Sequence, residues 1–152
     1  ADSWDAGPPR MFQTVAQGLK AYNPGVNGFV GAADVARACR LLLESELGRG
    51  ERFILSAENL SYQDLFTQIA RALAVAPPRI GLPAWLVVAA GWLAERWASL
   101  SGQAPFLSLE TARSGTTDFR YDGSKIARLG LTYTPIAEVI TETARAFRAK
   151  DD

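Results

Sequence analysis

Histidine is absent from the 152 residues, and cysteine occurs once, at Cys39. Without histidine, the chain cannot form a Cys/His zinc site, a Ser-His-Asp triad or a Cys-His dyad. Cys39 lies on the apolar side of a helical pattern, so we predict a buried and unreactive thiol there. A lone cysteine without a disulfide partner is typical of the cytoplasm, which is the location that we expect. We predict no metal site.

An excess of charge of either sign is also missing. Lysine plus arginine and aspartate plus glutamate each number 16. With no basic cluster, the sequence predicts neither a nucleic-acid partner nor a membrane partner. The longest apolar stretch, residues 80 to 94, is shorter than the roughly twenty residues of a bilayer span. We therefore predict a buried helix there, and its buried stripe is expected to contain Trp85, Val88, Trp92 and Leu93.

The sequence is rich in helical periodicity and poor in strand patterns. Apolar residues recur every three or four positions in several stretches, including residues 34 to 46, which predicts helices. Ser61 and Asp64 have the spacing of a helix cap, and Thr134-Pro135 is typical of a helix start. Only short strands are predicted, near Phe29 and from Arg52 to Leu55. The fold class that we predict is α+β, mostly helical with two or three short strands, in a single domain over residues 1 to 152.

Gly25, Gly28 and Gly31 have a spacing similar to that of a phosphate-binding loop, and a helical pattern follows them. Such a loop needs a buried strand leading into its first glycine, so that helix amides point at the phosphate. Here Pro24 stands where that strand should still be pairing. Asp34 places a carboxylate in the first helical turn, where it would repel a phosphate. We therefore interpret the glycines as a structural turn and predict no cofactor-binding residue.

Tyr121 and Lys125 have the Y-x-x-x-K spacing of a dehydrogenase catalytic pair. The pair works when both residues share one helical face, because the lysine then lowers the pKa of the tyrosine. Asp122-Gly123 between them is typical of a helix start. Tyr121 is therefore expected in an extended segment and Lys125 in the helix, and we predict no catalytic residue in this chain.

Four segments, taken in order, resemble a known family: NGFVGAADVARACRLLLE, GERFILSAENLSYQDLFTQIARAL, PPRIGLPAWLV and YDGSKIARLGLTYTPIAEVI. The family is the extended short-chain dehydrogenases/reductases of the NAD-dependent epimerase/dehydratase group, and the resemblance is nearest to the C-terminal half of dihydroflavonol 4-reductase-like proteins. Asp34 matches the acidic residue of the family pattern F-V-x-V-x-D-V-A. The last segment resembles the closing pattern D-x-S-K-A-x-x-x-L-G-y-x-P. Gly31-Ala32-Ala33 departs from the family, which usually has larger residues there.

The resemblance implies the C-terminal part of a Rossmann-type fold that lacks its cofactor-binding half. It implies NAD or NADP as the cofactor of a longer parent protein, and no cofactor for this chain alone. The implied function is the substrate-binding part of an NAD(P)-dependent reductase or epimerase that acts on a carbonyl or sugar-like small molecule. The fragment alone would be inactive. The candidate substrate-binding residues are Ser3, Trp4, Asn27, Phe29, Val30 and, for a phosphate of a nucleotide sugar, Arg113.

Two other interpretations stay open. The chain would be a non-catalytic helical binding or interaction module derived from the same fold, or a minimal oxidoreductase in which the glycine loop and the Tyr-Lys pair are real. The family resemblance also implies partners for this chain. In the family, helix 34–46 and strand 52–55 pack on the nucleotide-binding sheet, so Val35, Ala38, Leu42 and Phe53 would need another cover. We therefore expect a homo-oligomer, or binding of the missing N-terminal half.

Overall fold

The computed structural model describes residues 9–46, 49–101 and 109–151. These residues are mostly helical with a few short strands, as the sequence predicts. The helices are α1 (Pro9–Ala16), α2 (Ala32–Glu44), α3 (Tyr62–Leu73), α4 (Ala84–Ser101), α5 (Leu109–Ser114) and α6 (Ile136–Asp151), with a 3-10 helix at Ser124–Leu129. The strands are β1 (Ala21–Tyr22), β2 (Val26–Phe29), β3 (Glu58–Ser61) and β4 (Ile80–Gly81).

The chain divides into two compact units, and the first comprises residues 1–26 and 61–118. In its described part, β1 and β4 pair in parallel, with Ala21 opposite Ile80 and Tyr22 opposite Gly81. Helix α1 packs on α3, and α4 packs on α5. Val15 of α1 and Ile69 of α3 are almost fully buried in this unit. The sequence prediction of a single domain stays a prediction.

Helix α3 begins and ends where the sequence predicts. The hydroxyl of Ser61 accepts a hydrogen bond from the backbone N–H of Asp64 and donates one to its carboxylate. This cap satisfies one of the free N–H groups of the first turn. After Leu73, Ala74 takes a left-handed conformation and its N–H closes the last turn. Pro77 and Pro78 follow and prevent the helix from resuming.

The second unit comprises residues 27–60 and 119–152. Most of β2 and β3, which pair with each other, lie in it together with α2, the 3-10 helix and α6. Its core contains Ala38, Ile126 and Leu131, and Leu42 and Phe53 pack against them. Helix α6 begins directly after Thr134-Pro135, as predicted, because Pro135 presents its carbonyl to the amides of the first turn. Asp34 is fully buried in this unit.

The predicted strand from Arg52 to Leu55 is wrong. The segment is not a strand, because a strand needs a hydrogen-bonded neighbour and no strand of the described residues pairs with it. The carbonyl of Arg52 instead accepts a hydrogen bond from the ammonium of Lys125. Helix α2 also starts and ends slightly before its predicted bounds of 34 and 46.

The prediction of a buried thiol on α2 is wrong. Ala38 faces Ile126 and is fully buried, which turns its neighbour Cys39 outward, so the thiol is exposed. Leu42 and Phe53, which were expected to need another cover, pack on the core that contains Ala38. The expectation of a homo-oligomer or of binding the missing N-terminal half stays a prediction. Among the described residues of this unit, the most exposed large apolar side chain is that of Leu43.

The predicted buried stripe of α4 is also wrong. Trp85, Trp92 and Leu93 are 70%, 53% and 60% exposed, and Val88 is only half-buried. The buried positions of the helix are instead Val87, Gly91, Ala94 and Ala98. These residues recur at helical spacing and are mostly small, and α4 packs on α5. No helix among the described residues is long and apolar enough to cross a membrane.

Candidate functional site

The carboxyl ends of β1 and β4 lie side by side in the first unit and open into two clefts. Because the strands are parallel, Asn23-Pro24 and Leu82-Pro83 leave the sheet at the same edge. In sheets of parallel strands this edge is where ligands bind, because the chain turns away there and leaves a crevice. Each proline lacks an N–H and so prevents the strand from continuing. The local sequence therefore creates the opening.

The two clefts have volumes of about 410 and 420 Å³, which is the size range of small-molecule sites. They share Tyr22, Asn23 and Leu82. The smaller cleft is completed by Pro24, Ser61, Gln63, Gly81 and Pro83. The larger one is completed by Arg10, Met11, Thr14, Leu19, Ala21, Tyr62, Phe66, Val87, Thr111, Ala112 and Gly115. We refer to the two together as the β1/β4 cleft.

The lining of the β1/β4 cleft suits binding better than catalysis. Tyr22, Tyr62 and Phe66 present aromatic rings, and hydroxyl and amide groups provide hydrogen-bonding positions. Arg10 is the one charged residue among the described lining residues, which include no carboxylate or cysteine. The groups of the described lining that can transfer a proton are therefore hydroxyls, such as those of Tyr22 and Tyr62. Nor do the described residues contain a cluster of three side chains that could hold a metal ion.

Two close contacts fix the shape of the cleft. A side-chain carbon added at Gly81 would lie 3.2 Å from the Tyr22 hydroxyl oxygen, so the absence of a side chain at Gly81 makes room for the tyrosine. The amide nitrogen of Asn23 donates a hydrogen bond to the carbonyl of Gly115. That bond fixes the Asn23 side chain and directs its carbonyl oxygen as a potential acceptor for a ligand.

The candidate substrate-binding residues from the sequence are distributed over both units and the undescribed N-terminal residues. Ser3 and Trp4 lie outside the described residues. Asn27 and Phe29 are half-buried on β2, and Val30 is half-buried just after it, all in the second unit. Their role in substrate binding stays a prediction.

Arg113 belongs to the first unit and is exposed on α5. It does not line the β1/β4 cleft. With Trp85 and Trp92 of α4, it instead lines a separate cavity of about 460 Å³. The predicted contact of Arg113 with a substrate phosphate stays a prediction.

The three glycines of the loop each allow a close approach between segments. A side-chain carbon at Gly25 would lie 2.5 Å from the carbonyl oxygen of Gly115, and one at Gly28 would lie 2.6 Å from the Ser56 hydroxyl. A carbon at Gly31 would lie 3.0 Å from Val139. The structure thus gives each glycine a packing role, as expected of a structural turn.

Asp34 forms a structural hydrogen-bond network. Its buried carboxylate accepts hydrogen bonds from the backbone N–H of Thr134 at 2.8 Å and from the Thr134 hydroxyl at 2.9 Å. Arg37 pairs with the same carboxylate and also donates to the carbonyl of Thr132. A cavity of about 540 Å³ adjoins this network, and Arg37 and Thr134 in its wall are already bonded to Asp34. We therefore consider this cavity less suited to binding a ligand than the β1/β4 cleft.

Tyr121 and Lys125 do not share a helix. Tyr121 lies in an irregular segment, where its backbone N–H and carbonyl are both held by the Asn59 side chain. Lys125 lies in the 3-10 helix, and its ammonium bonds the Glu51 carboxylate at 2.6 Å. That hydrogen bond, with the attraction of the ammonium, holds the pKa of Glu51 below its ordinary value. The predicted separation of the tyrosine from the lysine helix is confirmed.

We expect Tyr121→Phe and Lys125→Ala, made in the full-length protein that contains this chain, each to lower kcat/KM by less than about tenfold. The Tyr121 hydroxyl is not activated by Lys125. Removing a true acid/base group typically lowers the rate about 10²- to 10⁴-fold. Steady-state kinetics on both variants, with circular dichroism as the folding control, tests this. A loss of a hundredfold or more in a folded variant would make the pair catalytic.

Sequence reasoning missed Tyr22, Asn23, Tyr62, Phe66 and Leu82. A signal was present for part of this set, because Asn23-Pro24 and Leu82-Pro83 each place a proline directly after a short extended stretch. Two strands that end at prolines are candidates for the open edge of one sheet. The pairing of β1 with β4, however, joins residues far apart in the chain and has no local signal.

Comparison with known proteins supports the resemblance read from the sequence. The chain is 26% identical over 154 aligned residues, covering 95% of its length, to a "putative dihydroflavonol 4-reductase" of Synechocystis sp.. It also superimposes on the crystal structure of gox2253 with a TM-score of 0.71 and 25% identity over 93% of the chain. No protein-family model matches the chain. The resemblance to dihydroflavonol 4-reductase-like proteins is confirmed by these similarities.

The chain spans less than half of either protein, 45% of the Synechocystis protein and 43% of the gox2253 chain. It shares its mostly helical fold with the corresponding part of the gox2253 structure. The chain is thus similar to part of a protein described as a putative dihydroflavonol 4-reductase. The activity in the name of the Synechocystis protein is that of a whole protein, of which this chain matches less than half.

Proposed function

We propose that this chain is the C-terminal, substrate-binding portion of an NAD(P)-dependent reductase or epimerase of the extended short-chain dehydrogenase/reductase type. The substrate would be a carbonyl or sugar-like small molecule. The β1/β4 cleft is the observation that carries the proposal. It is aromatic and hydrogen-bonding, and it has a volume suited to a small molecule.

The groups present in the cleft and in the two motifs suggest that this chain would bind substrate, while another part of the protein would bind the cofactor and transfer protons. The cleft offers binding groups without a carboxylate or cysteine among its described lining residues. The glycine loop and the Tyr-Lys spacing have structural roles here. The cofactor and the proton-transfer groups would therefore come from the portion of the relatives that this chain does not match, with NAD or NADP supplying the hydride.

A bulky substitution in the cleft tests this proposal. We expect Leu82→Trp, in the full-length protein, to raise KM by about tenfold while kcat changes by less than about threefold, because the added ring removes binding volume without touching a proton-transfer group. Leu43→Trp, at a leucine of α2 that is 88% exposed, is the matched control and should leave both constants unchanged. Initial-rate kinetics over a range of substrate concentrations gives both constants.

Two outcomes of these measurements would contradict the proposal. An unchanged KM in a folded Leu82→Trp variant would remove the cleft from substrate binding. A large loss of kcat with KM unchanged would place the reacting atoms in the cleft instead of in the unmatched portion.

An interaction module is the second candidate function, and the outward tryptophans of α4 favour it. Large apolar surfaces exposed on a protein are typical of surfaces that bind something else. That surface lies on α4 and includes Trp97, which is outside the cleft lining, so the two functions are compatible.

A further inference from the structure

Helix α4 turns its bulkiest side chains away from the protein. The exposed fractions of Trp85, Trp92 and Trp97 are 70%, 53% and 73%, and Leu86 and Leu93 are also exposed. At 100° per residue, these five positions fall on one arc of the helix, opposite the buried small residues. We call them the tryptophan face. In an ordinary surface helix of a globular protein, polar residues face the solvent and apolar residues face the core.

The charges around the tryptophan face are unevenly placed. Glu95 is half-buried and accepts a hydrogen bond from the backbone N–H of Leu109 at 2.7 Å, so its carboxylate is directed toward α5. Arg96 is exposed, with its guanidinium 5.9 Å from the centre of the Trp92 ring. Arg113 lines the cavity beside Trp85 and Trp92. Within the described part of the chain neither arginine forms an ion pair, so two arginines and one exposed carboxylate, Glu110 of α5, accompany the face.

The charge pattern of the sequence predicts no membrane partner, but the exposed tryptophans lead to a different expectation. We propose that the tryptophan face docks the protein on the surface of a lipid bilayer. Tryptophan is enriched at the level of lipid headgroups, where its ring is buried and its N–H stays hydrated. Arginine reaches phosphate groups from the same depth while its stem packs on apolar surface. The five side chains span about 18 Å along the helix, given its rise of about 1.5 Å per residue. The helix lies on the membrane and does not cross it.

The position of Arg96 favours a bilayer over a second copy of the chain. A two-fold contact centred on this face would bring the Arg96 side chains of the two copies close together, and the nearest acid, Glu95, is directed inward. Burying like charges without a partner is costly. At a headgroup layer the same guanidinium remains hydrated or meets a phosphate. The exposed Glu110 on α5 offsets part of the positive charge, so we expect apolar contacts to dominate the affinity and salt to weaken it only modestly.

Vesicle binding of the 152-residue chain tests this proposal, with vesicles of phosphatidylcholine alone and of phosphatidylcholine containing about 30% phosphatidylglycerol. Three of the four tryptophans lie on α4, so their fluorescence reports directly on this face. We expect co-sedimentation with vesicles, a blue shift of the emission and quenching by brominated lipid. The mixed vesicles should bind more of the protein, because their anionic headgroups attract the two arginines.

The Trp85→Ser, Trp92→Ser, Trp97→Ser triple variant should lower the partition coefficient by more than about tenfold. Leu43→Ser, which removes a still more exposed apolar side chain from α2, should leave it unchanged. Thermal unfolding shows whether the variants fold. Arg96→Glu is a milder second test, and it should weaken binding to mixed vesicles about threefold. Failure to bind either vesicle, or equal binding by the folded triple variant, would overturn the proposal. So would a dimer that the same substitutions dissociate in a protein that does not bind vesicles.

Discussion

Replacing Asp34 with alanine is expected to lower the free energy of unfolding by about 3 kcal/mol and the melting temperature by about 8 °C. The carboxylate is fully buried and accepts hydrogen bonds from Thr134 and Arg37. Without it, the Thr134 N–H loses its acceptor in a partly buried site, and an unsatisfied buried donor costs about 1–3 kcal/mol. The space left by the side chain adds to the loss.

Glu44→Ala is the matched control for Asp34→Ala. It removes another carboxylate of the same helix, but one whose 3.7 Å contact with Arg40 is exposed, and exposed pairs contribute less than about 1 kcal/mol. Urea unfolding followed by circular dichroism gives both free energies. If the two variants lose the same small amount, the Asp34 network is not a main support of the second unit.

Gly123→Ala is expected to lower the free energy of unfolding by about 3 kcal/mol, at the upper end of the usual cost of overpacking. The added carbon would lie 2.2 Å from the carbonyl oxygen of Ser56 and 2.8 Å from its nitrogen. Both are backbone atoms, which cannot rotate aside as a side chain can. The φ angle of Gly123 is −89°, so an alanine is acceptable to the local backbone and the expected loss is steric.

Ala127→Ser controls for substitution in the same part of the chain. Ala127 is exposed on the 3-10 helix that follows Gly123, so its substitution should change the free energy of unfolding by less than about 0.5 kcal/mol. Denaturant midpoints and slopes of both variants separate a loss of stability from a change in the unfolded state. A Gly123→Ala variant as stable as the control would show that the two segments separate at little cost.

The helices whose boundaries were predicted correctly carry local signals. Ser61 and Asp64 specify the start of α3, and Thr134-Pro135 specifies the start of α6, because a cap and a proline act within one turn. The segment from Arg52 to Leu55 has strand-like composition, but a strand is defined by its neighbour. Local sequence cannot say whether that neighbour is present.

Helix α4 shows a different limit. It is apolar on most of its circumference, so a hydrophobic period cannot tell which side is buried. The buried positions are occupied by the small residues Gly91, Ala94 and Ala98, and α4 packs on α5. Large size favours burial in a sequence argument, whereas here small size decides it. The β1/β4 cleft was missed for a related reason, since Tyr22 and Leu82 meet only through a pairing of distant strands.

The interleaving of the two units along the chain sets an order for folding during synthesis. The first unit is completed when Gly115 emerges to bond Asn23 and Gly25. The second must wait for Thr134, which is 100 residues beyond its partner Asp34. The Asn23–Gly115 contact spans 92 residues, nearly as many, so the order follows from which partner is translated first. Helix α2 therefore spends an interval translated but without its partner. A nascent chain arrested at a length that exposes Gly115 but not Thr134 outside the ribosome should therefore carry a protease-resistant first unit and a protease-sensitive α2.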